Sequence, residues 1–162
     1  MSIEAVRVYM QERGREEDVL EFPVSSATVE LAAQALNTQP ARIAKTLSFK
    51  TPEEGCLLLV AAGDGKIDNR KFRETFGFKA KMLSPDEVGP MTGHEIGGVC
   101  PFANPAGVRV YLDESLRRFD TVFPACGSGN SAIRLTCEEL EYLSNAIGWV
   151  DVCKGWQLEE GK

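Results

Sequence analysis

Ile43-Ala44-Lys45-Thr46-Leu47-Ser48-Phe49 and, a short turn later, Leu57-Leu58-Leu59-Val60-Ala61-Ala62 are the two most strongly patterned stretches of the chain. Successive strand residues point to opposite faces, so the first stretch places Ile43, Lys45 and Leu47 on one side and Ala44, Thr46 and Ser48 on the other. The second stretch carries no polar side chain at all, as expected of a strand covered on both faces. The lysine among apolar neighbours has two readings. Its ammonium either snorkels at a rim, which is the commoner case, or points into a pocket.

Helix signals surround these strands. Ile3, Val6 and Met10 recur at helical spacing over Ile3–Arg13, with Gly14 as a stop. Val19–Val24 reads as a short extended piece. Thr28 can cap a helix ending at Leu36, with Asn37 in the left-handed closing position. Asp68 can cap a helix that carries Phe72 and Phe76 and closes at Gly77. Ala80–Leu83 is a candidate strand. Ser84-Pro85-x-Glu87 and Thr136-x-x-Glu139 are capping boxes, the first with proline in the first helical position. Behind the second, Leu140, Leu143 and Ile147 form an inward stripe ended by Gly148. Val108–Leu112, Thr121–Phe123 and Ala132–Leu135 complete the strands. Interleaved helices with closely spaced later strands predict an α+β fold: a mixed, largely antiparallel, barrel-like sheet flanked by helices.

The 162 residues are 43% hydrophobic and 26% charged, an ordinary globular balance of about one domain's length. One domain over 1–162 is therefore expected. The longest apolar run, Cys56–Ala62, is far short of the ~20 residues that span a bilayer. Five cysteines, none in a Cys-x-x-Cys pair, give neither a zinc nor a thioredoxin-like spacing. With no recognisable signal peptide, they predict reduced thiols and a cytoplasmic protein. The net charge of −6 argues against a generic nucleic-acid or membrane binder. One segment reverses that balance. Lys66–Lys81 holds six cations and two carboxylates, and its Arg70, Lys71 and Arg73 form the polar side of the Phe72 helix. A solvated helix face is the default for such a pattern; a phosphate-contacting patch is the alternative.

Met91–Gly107 lacks periodicity and is rich in Gly and Pro. Unstructured segments of this length in compact domains tend to carry function. Its Gly97-Gly98 pair is either a tight turn or a place where backbone amides approach a ligand unobstructed. His94, the single histidine, lies six residues before Cys100, a pairing that would permit thiolate chemistry if the fold brought the two together. A structural or pocket-lining histidine is the commoner outcome. Ala125-Cys126-Gly127-Ser128-Gly129-Asn130 is a second glycine-bearing loop. It lacks Gly-Lys-Ser/Thr and opens no helix, so it is not a phosphate-binding P-loop. No metal-ligand spacing is recognisable, and no cofactor is expected.

Taken in order, Ala35-Leu36, Ile43-Ala44-Lys45-Thr46-Leu47, Thr92-Gly93-x-x-x-Gly97-Gly98-x-Cys100-Pro101, Val110-Tyr111-Leu112-Asp113 and Pro124-Ala125-Cys126-x-x-Gly129 resemble the YbaK/ProX-type aminoacyl-tRNA deacylases. The likeness covers roughly residues 28–146. It implies a mixed β-barrel flanked by helices and a freestanding hydrolase that removes a small amino acid, Cys or Ala, from mischarged proline tRNA. It also implies a transient partnership with prolyl-tRNA synthetase. On the matching positions it implies a catalytic trio of Lys45, Gly97 and Gly98. Thr46, Thr92, His94, Cys100, Cys126 and Gly129 would line the substrate, and Arg70, Lys71 and Arg73 would meet the tRNA. The family resembled needs no obligatory side-chain nucleophile. This chain departs from its relatives at His94, where Tyr is usual, and at Cys100, where Ser is usual. The 124–129 run also lacks the usual basic residues. A module with the same fold that binds tRNA ends or a synthetase without catalysis is the alternative reading.

Overall fold

The computed structural model describes residues 2–156. Its centre is a strand with no polar side chain, β3 (Cys56–Ala62), in which every residue is buried. Two apolar layers cover it. Cys56, Leu58, Val60 and Ala62 belong to one core, while Leu57, Leu59 and Ala61 belong to a second on the opposite face. This is the physical reason for the unbroken apolar run: a strand sandwiched on both sides has no face to give to water.

The remaining elements arrange themselves around it. β2 (Ile43–Lys50) pairs antiparallel along the full length of β3, with Thr46 opposite Val60. β5 (Arg109–Asp113) runs parallel on the other side. β6 (Phe123–Pro124) and β8 (Gly148–Val150) are the outer strands of the order β6-β2-β3-β5-β8. Val122 and Leu135 exchange hydrogen bonds at 2.8 and 3.0 Å. They lead from β6 towards β7 (Ser131–Ala132), which pairs antiparallel with β1 (Leu20–Glu21). A third ladder joins β4 (Lys66–Ile67) to β9 (Cys153–Lys154). Pairing is mixed as expected: over all the ladders antiparallel pairs outnumber parallel ones, while within the five-stranded sheet β2–β3 is antiparallel and β6–β2, β3–β5 and β5–β8 are parallel.

Among the described residues, five α-helices flank the sheet. α1 (Ser2–Gln11) buries Val6 and Met10 in the first core, together with Leu140 and Leu143 of α5 (Cys137–Ser144). α3 (Asn69–Phe76) sends Phe72 into the second core, where the Phe72 ring lies 4.8 Å from Phe49 and 4.7 Å from Phe76. α2 (Val29–Leu36) packs Ala32 and Ala33 against Ile43 at the start of β2. The helix ends follow the local signals. Thr28 and Asp68 accept first-turn amides, and Asn37 and Gly77 take left-handed caps at φ 55° and 85°. Both capping boxes form, with Glu87 accepting from Ser84 N–H at 2.8 Å and Glu139 from Thr136 N–H at 2.9 Å.

Several local expectations differ. The strands expected at Thr121–Phe123 and Ala132–Leu135 are Phe123–Pro124 and Ser131–Ala132, with Val122 and Leu135 joined by an isolated bridge. Ala80–Leu83 is not a strand; only Met82 bridges to Phe49, and Leu83 N–H donates to Ser48 O. The extended piece at Val19–Val24 narrows to the two residues of β1. α4 (Pro85–Thr92) continues past Met91, despite Pro90, and closes at Gly93, so the loop begins there. α5 stops at Ser144 with Asn145 left-handed at φ 54°, which leaves Ile147 59% exposed and Gly148 at the start of β8.

Leu58→Ala is accordingly expected to cost about 2–5 kcal/mol in urea unfolding. Ile147→Ala should stay within about 0.5 kcal/mol of the parent. A large loss at Ile147 would contradict the observed end of α5.

Candidate functional site

A cavity of about 440 Å³ lies along β2. Segment 26–32, at the entry to α2, forms one wall, and Met82, Leu83, Pro85 and Val88 form another. Ile96, Gly97 and Val99 of the glycine-bearing loop, with Phe123, Ala125, Ser131 and Ala132, complete the lining. The surface is mainly apolar. Ser26, Thr28, Thr46, Ser48 and Ser131 supply hydroxyls, and Lys45 is the one charged residue among those lining it. The Thr46 hydroxyl is buried without a partner among the described residues, so it is free to bond a ligand that enters.

Lys45 is half-buried and lines the cavity. Its ammonium donates to Gly65 O at 2.5 Å and reaches Gly63 O at 3.4 Å. Burial pulls its pKa below the ordinary lysine value, because desolvation penalises the cation. Two carbonyls satisfy part of the ammonium and leave donor capacity for an anionic or carbonyl oxygen.

The two loop glycines are not equivalent. Gly97 lines the cavity at φ 92°, a conformation that favours glycine, and a Cβ there would meet Ala27 at 3.2 Å. Gly98 N–H already donates to Glu95 O at 3.0 Å. A Cβ on Gly98 would stand 2.5 Å from Ser128 N and 2.6 Å from Gly127 C. Gly98 is thus where the first loop packs backbone-to-backbone on the second. Gly129, on that second loop, receives the Ser26 amide at 2.7 Å and ties the cavity wall to the same junction.

Thr92, His94, Cys100 and Cys126 are buried and none lines the cavity. Thr92 donates its hydroxyl to Val88 O at 2.7 Å, closing the last turn of α4. The fold does bring His94 and Cys100 together, with Nε2 3.5 Å from Sγ. That nitrogen also lies 2.7 Å from Phe102 O. A carbonyl only accepts, so Nε2 carries the proton and cannot take one from the thiol. Burial pushes the Cys100 thiol up to about 12. A neutral thiol beside a protonated nitrogen is a packed pair rather than a nucleophile and base. Burial also raises the Cys126 thiol.

Arg70, Lys71 and Arg73 lie on α3, away from the Lys45 lining. Arg70 pairs with Glu74 at 3.2 Å, and Lys71 with Asp151 at 3.2 Å. Arg70 and Arg73 line a separate cavity with Asn69, Glu74, Lys79 and Ala80. The chain passes directly from Ala80 on that lining to Met82 on the Lys45 cavity. Among the described residues no three His, Cys, Asp or Glu side chains stand together as metal ligands. No helix there is long and apolar enough to cross a membrane.

Ser26, Ala27, Leu83, Val88 and Ser131 were not legible as site residues, because only the fold brings their segments to β2. Met82 and Ile96 carry a signal in retrospect. They are apolar, line the cavity, and are 53% and 64% exposed.

A mixed sheet with one lysine in a largely apolar, glycine-walled cavity defines a small-ligand site free of lining carboxylates. The chain belongs to the aminoacyl-tRNA editing domain family, whose sequence profile matches residues 24–143. It is 58% identical over 157 residues to YwhH of Bacillus subtilis (strain 168), covering 97% of this chain and 100% of that one. It is 26% identical over 119 residues to an Enterococcus faecalis (strain ATCC 700802 / V583) protein named "Putative Cys-tRNA(Pro)/Cys-tRNA(Cys) deacylase EbsC", covering 73% of each. A crystal structure described as "a putative trans-editing enzyme for prolyl tRNA synthetase" superposes with a TM-score of 0.85 at 32% identity, over 95% of this chain and 98% of that one.

Two outcomes follow from the loop. Gly98→Ala should destabilise by about 1–3 kcal/mol, since backbone must move to admit the methyl; unchanged urea stability would contradict the close approach. His94 has its pKa lowered by burial. Between that value and the ordinary one near 6.5 the unfolded chain holds more protons, so stability should fall as pH drops below about 6.5. The fall should be smaller in His94→Gln, measured by urea unfolding at several pH values.

Proposed function

We propose that this chain is a freestanding, cytoplasmic trans-editing hydrolase, a single editing domain over 1–162. It would cleave the ester that joins a small amino acid, Cys or Ala, to the 3′ end of a mischarged tRNA, with proline tRNA as the expected carrier. Prolyl-tRNA synthetase would be a transient partner. The observation that carries this reading is Lys45, the one charged residue lining an apolar cavity of about 440 Å³, with its ammonium held by Gly63 O and Gly65 O. Membership of the editing-domain family, the E. faecalis relative's name and the synthetase-related neighbour support it.

The cavity's chemistry suits such a substrate. Its lining has no carboxylate to attract a basic side chain. The ammonium would hold a phosphate or ribose oxygen of the tRNA end. The Thr46 hydroxyl has free hydrogen-bonding capacity with which to orient the aminoacyl group. Gly97 gives an unobstructed approach to the loop backbone, where amides can stabilise the oxyanion that develops on the ester. No histidine or cysteine lines the cavity, so the attacking group in this reading is water or a group of the substrate itself. His94, Cys100 and Cys126 act through the packing that holds the loop. Arg70 and Arg73 would meet tRNA phosphates, and Lys71 would do so only by exchanging its Asp151 and Cys153 contacts.

The purified chain should deacylate at least one member of a panel of mischarged tRNAs. Lys45→Ala should lower kcat/KM more than tenfold, a loss above about 1.4 kcal/mol of transition-state stabilisation. Stable esters across the panel, beside an active relative, would overturn the reading.

A further inference from the structure

Lys45 owes its position to a turn that another pair of side chains holds. Gly63 and Gly65, the two acceptors of its ammonium, flank Asp64 in the turn between β3 and β4. The Asp64 carboxylate is gripped by both terminal nitrogens of Arg118, at 2.5 and 3.0 Å, in a half-buried setting. Such a fork fixes orientation as well as distance. The Arg118 side chain is fixed in turn. It donates to Ser115 O at 2.9 Å and reaches Trp156 O at 3.4 Å, and its guanidinium lies 5.1 Å from the Trp156 ring centroid.

The same short helical turn, Glu114–Arg118, reaches the start of the glycine turn as well. Ser115 Oγ accepts from Ala62 N–H at 3.1 Å, and Ser115 N–H donates to Asp113, whose other oxygen accepts from Val152 N–H. On its far side the turn is closed by contact. A Cβ on Gly63 would stand 2.0 Å from Pro40 O. The turn is thus pinned at Ala62, Gly63 and Asp64, and its two free carbonyls converge on one ammonium.

We propose that Arg118 and Asp64 are positioning residues for Lys45, clamping the Gly63–Gly65 turn whose carbonyls hold the ammonium of this cavity-lining residue. The proposal rests on the assignment of Lys45 to the substrate end; the clamp acts only through that lysine. Charge acts in the same direction as geometry. Asp64 and Glu30 favour the Lys45 cation, as would Cys153 if ionised, while Lys66 opposes it. The Cys153 thiol is raised by burial, so it contributes no charge near neutral pH.

Two variants of the full chain separate these roles. Asp64→Asn keeps the side chain's size and removes the charge; Arg118→Lys keeps the charge and loses the fork. Proton–nitrogen NMR of the lysine ammonium groups, with Lys45 identified by its loss in Lys45→Arg, should show its titration midpoint fall by roughly half a pH unit or more in Asp64→Asn, with Lys79 unmoved. Arg118→Lys should lower kcat/KM for deacylation about tenfold in the parent and less than twofold in a Lys45→Ala background. An unchanged Lys45 midpoint, or an equal loss in both backgrounds, overturns the clamp. If no mischarged tRNA is cleaved, the hydrolase reading fails and the NMR result alone decides the clamp. If Arg118→Lys does not fold, Asp64→Asn decides it.

Discussion

A strand that offers no polar side chain to either face must be covered twice, and β3 imposes that requirement on everything around it. Leu58 and Val60 demand α1, α5 and the loop through Phe102, while Leu57 and Leu59 demand α3 and the phenylalanine cluster. Two cores on one strand leave β3 fixed in register between β2 and β5, since a one-residue slip would exchange its faces. The rigid floor of the cavity is β2, held to β3 by a ladder running from Ala44–Ala62 to Lys50–Cys56.

That rigidity sets where a half-buried ammonium can find acceptors. Burying a lysine without acceptors is strongly unfavourable. The acceptors come from the chain just past the end of β3, where Gly63 and Gly65 turn back towards Lys45. Glycine is required at the first by contact with Pro40. The lysine and its acceptors are therefore set by one antiparallel pair and the turn that follows it.

Much of the frame was legible because its signals are local. Thr28, Asp68, Ser84 and Thr136 cap the helices that their spacing announced, and Asn37 and Gly77 close two of them. What escaped depends on partners distant in sequence. The short β8 and β9 form only against β5 and β4, and Gly148, which ends a helix pattern when read alone, instead opens a strand beside Tyr111. Ile147 continues an apolar stripe, yet the left-handed Asn145 turns it out of the helix. At the site the same division holds. Lys45 and the glycine pair stood out by residue type, whereas Ser26, Leu83 and Ser131 reach the cavity only through tertiary packing.

The candidate substrate contacts of the two glycine-bearing loops gain a different physical meaning. His94, Cys100 and Cys126 are expected from sequence to line the substrate, but all three are buried and outside the cavity lining. Cys100 and Cys126 belong to the first core, and His94 fixes Phe102 O within the loop that returns to it. Sulfur and neutral imidazole fill that interior without demanding charge. Their chemistry reaches the site only by setting where Gly97 and Gly98 lie. Gly98 transmits that position to the 126–129 loop through backbone contact, and Gly129 O passes it to Ser26 on the opposite cavity wall. The width of the cavity is thus governed by a chain of close backbone approaches running from a buried histidine to the entry of α2, and substitutions along that chain act on the pocket without touching what it holds.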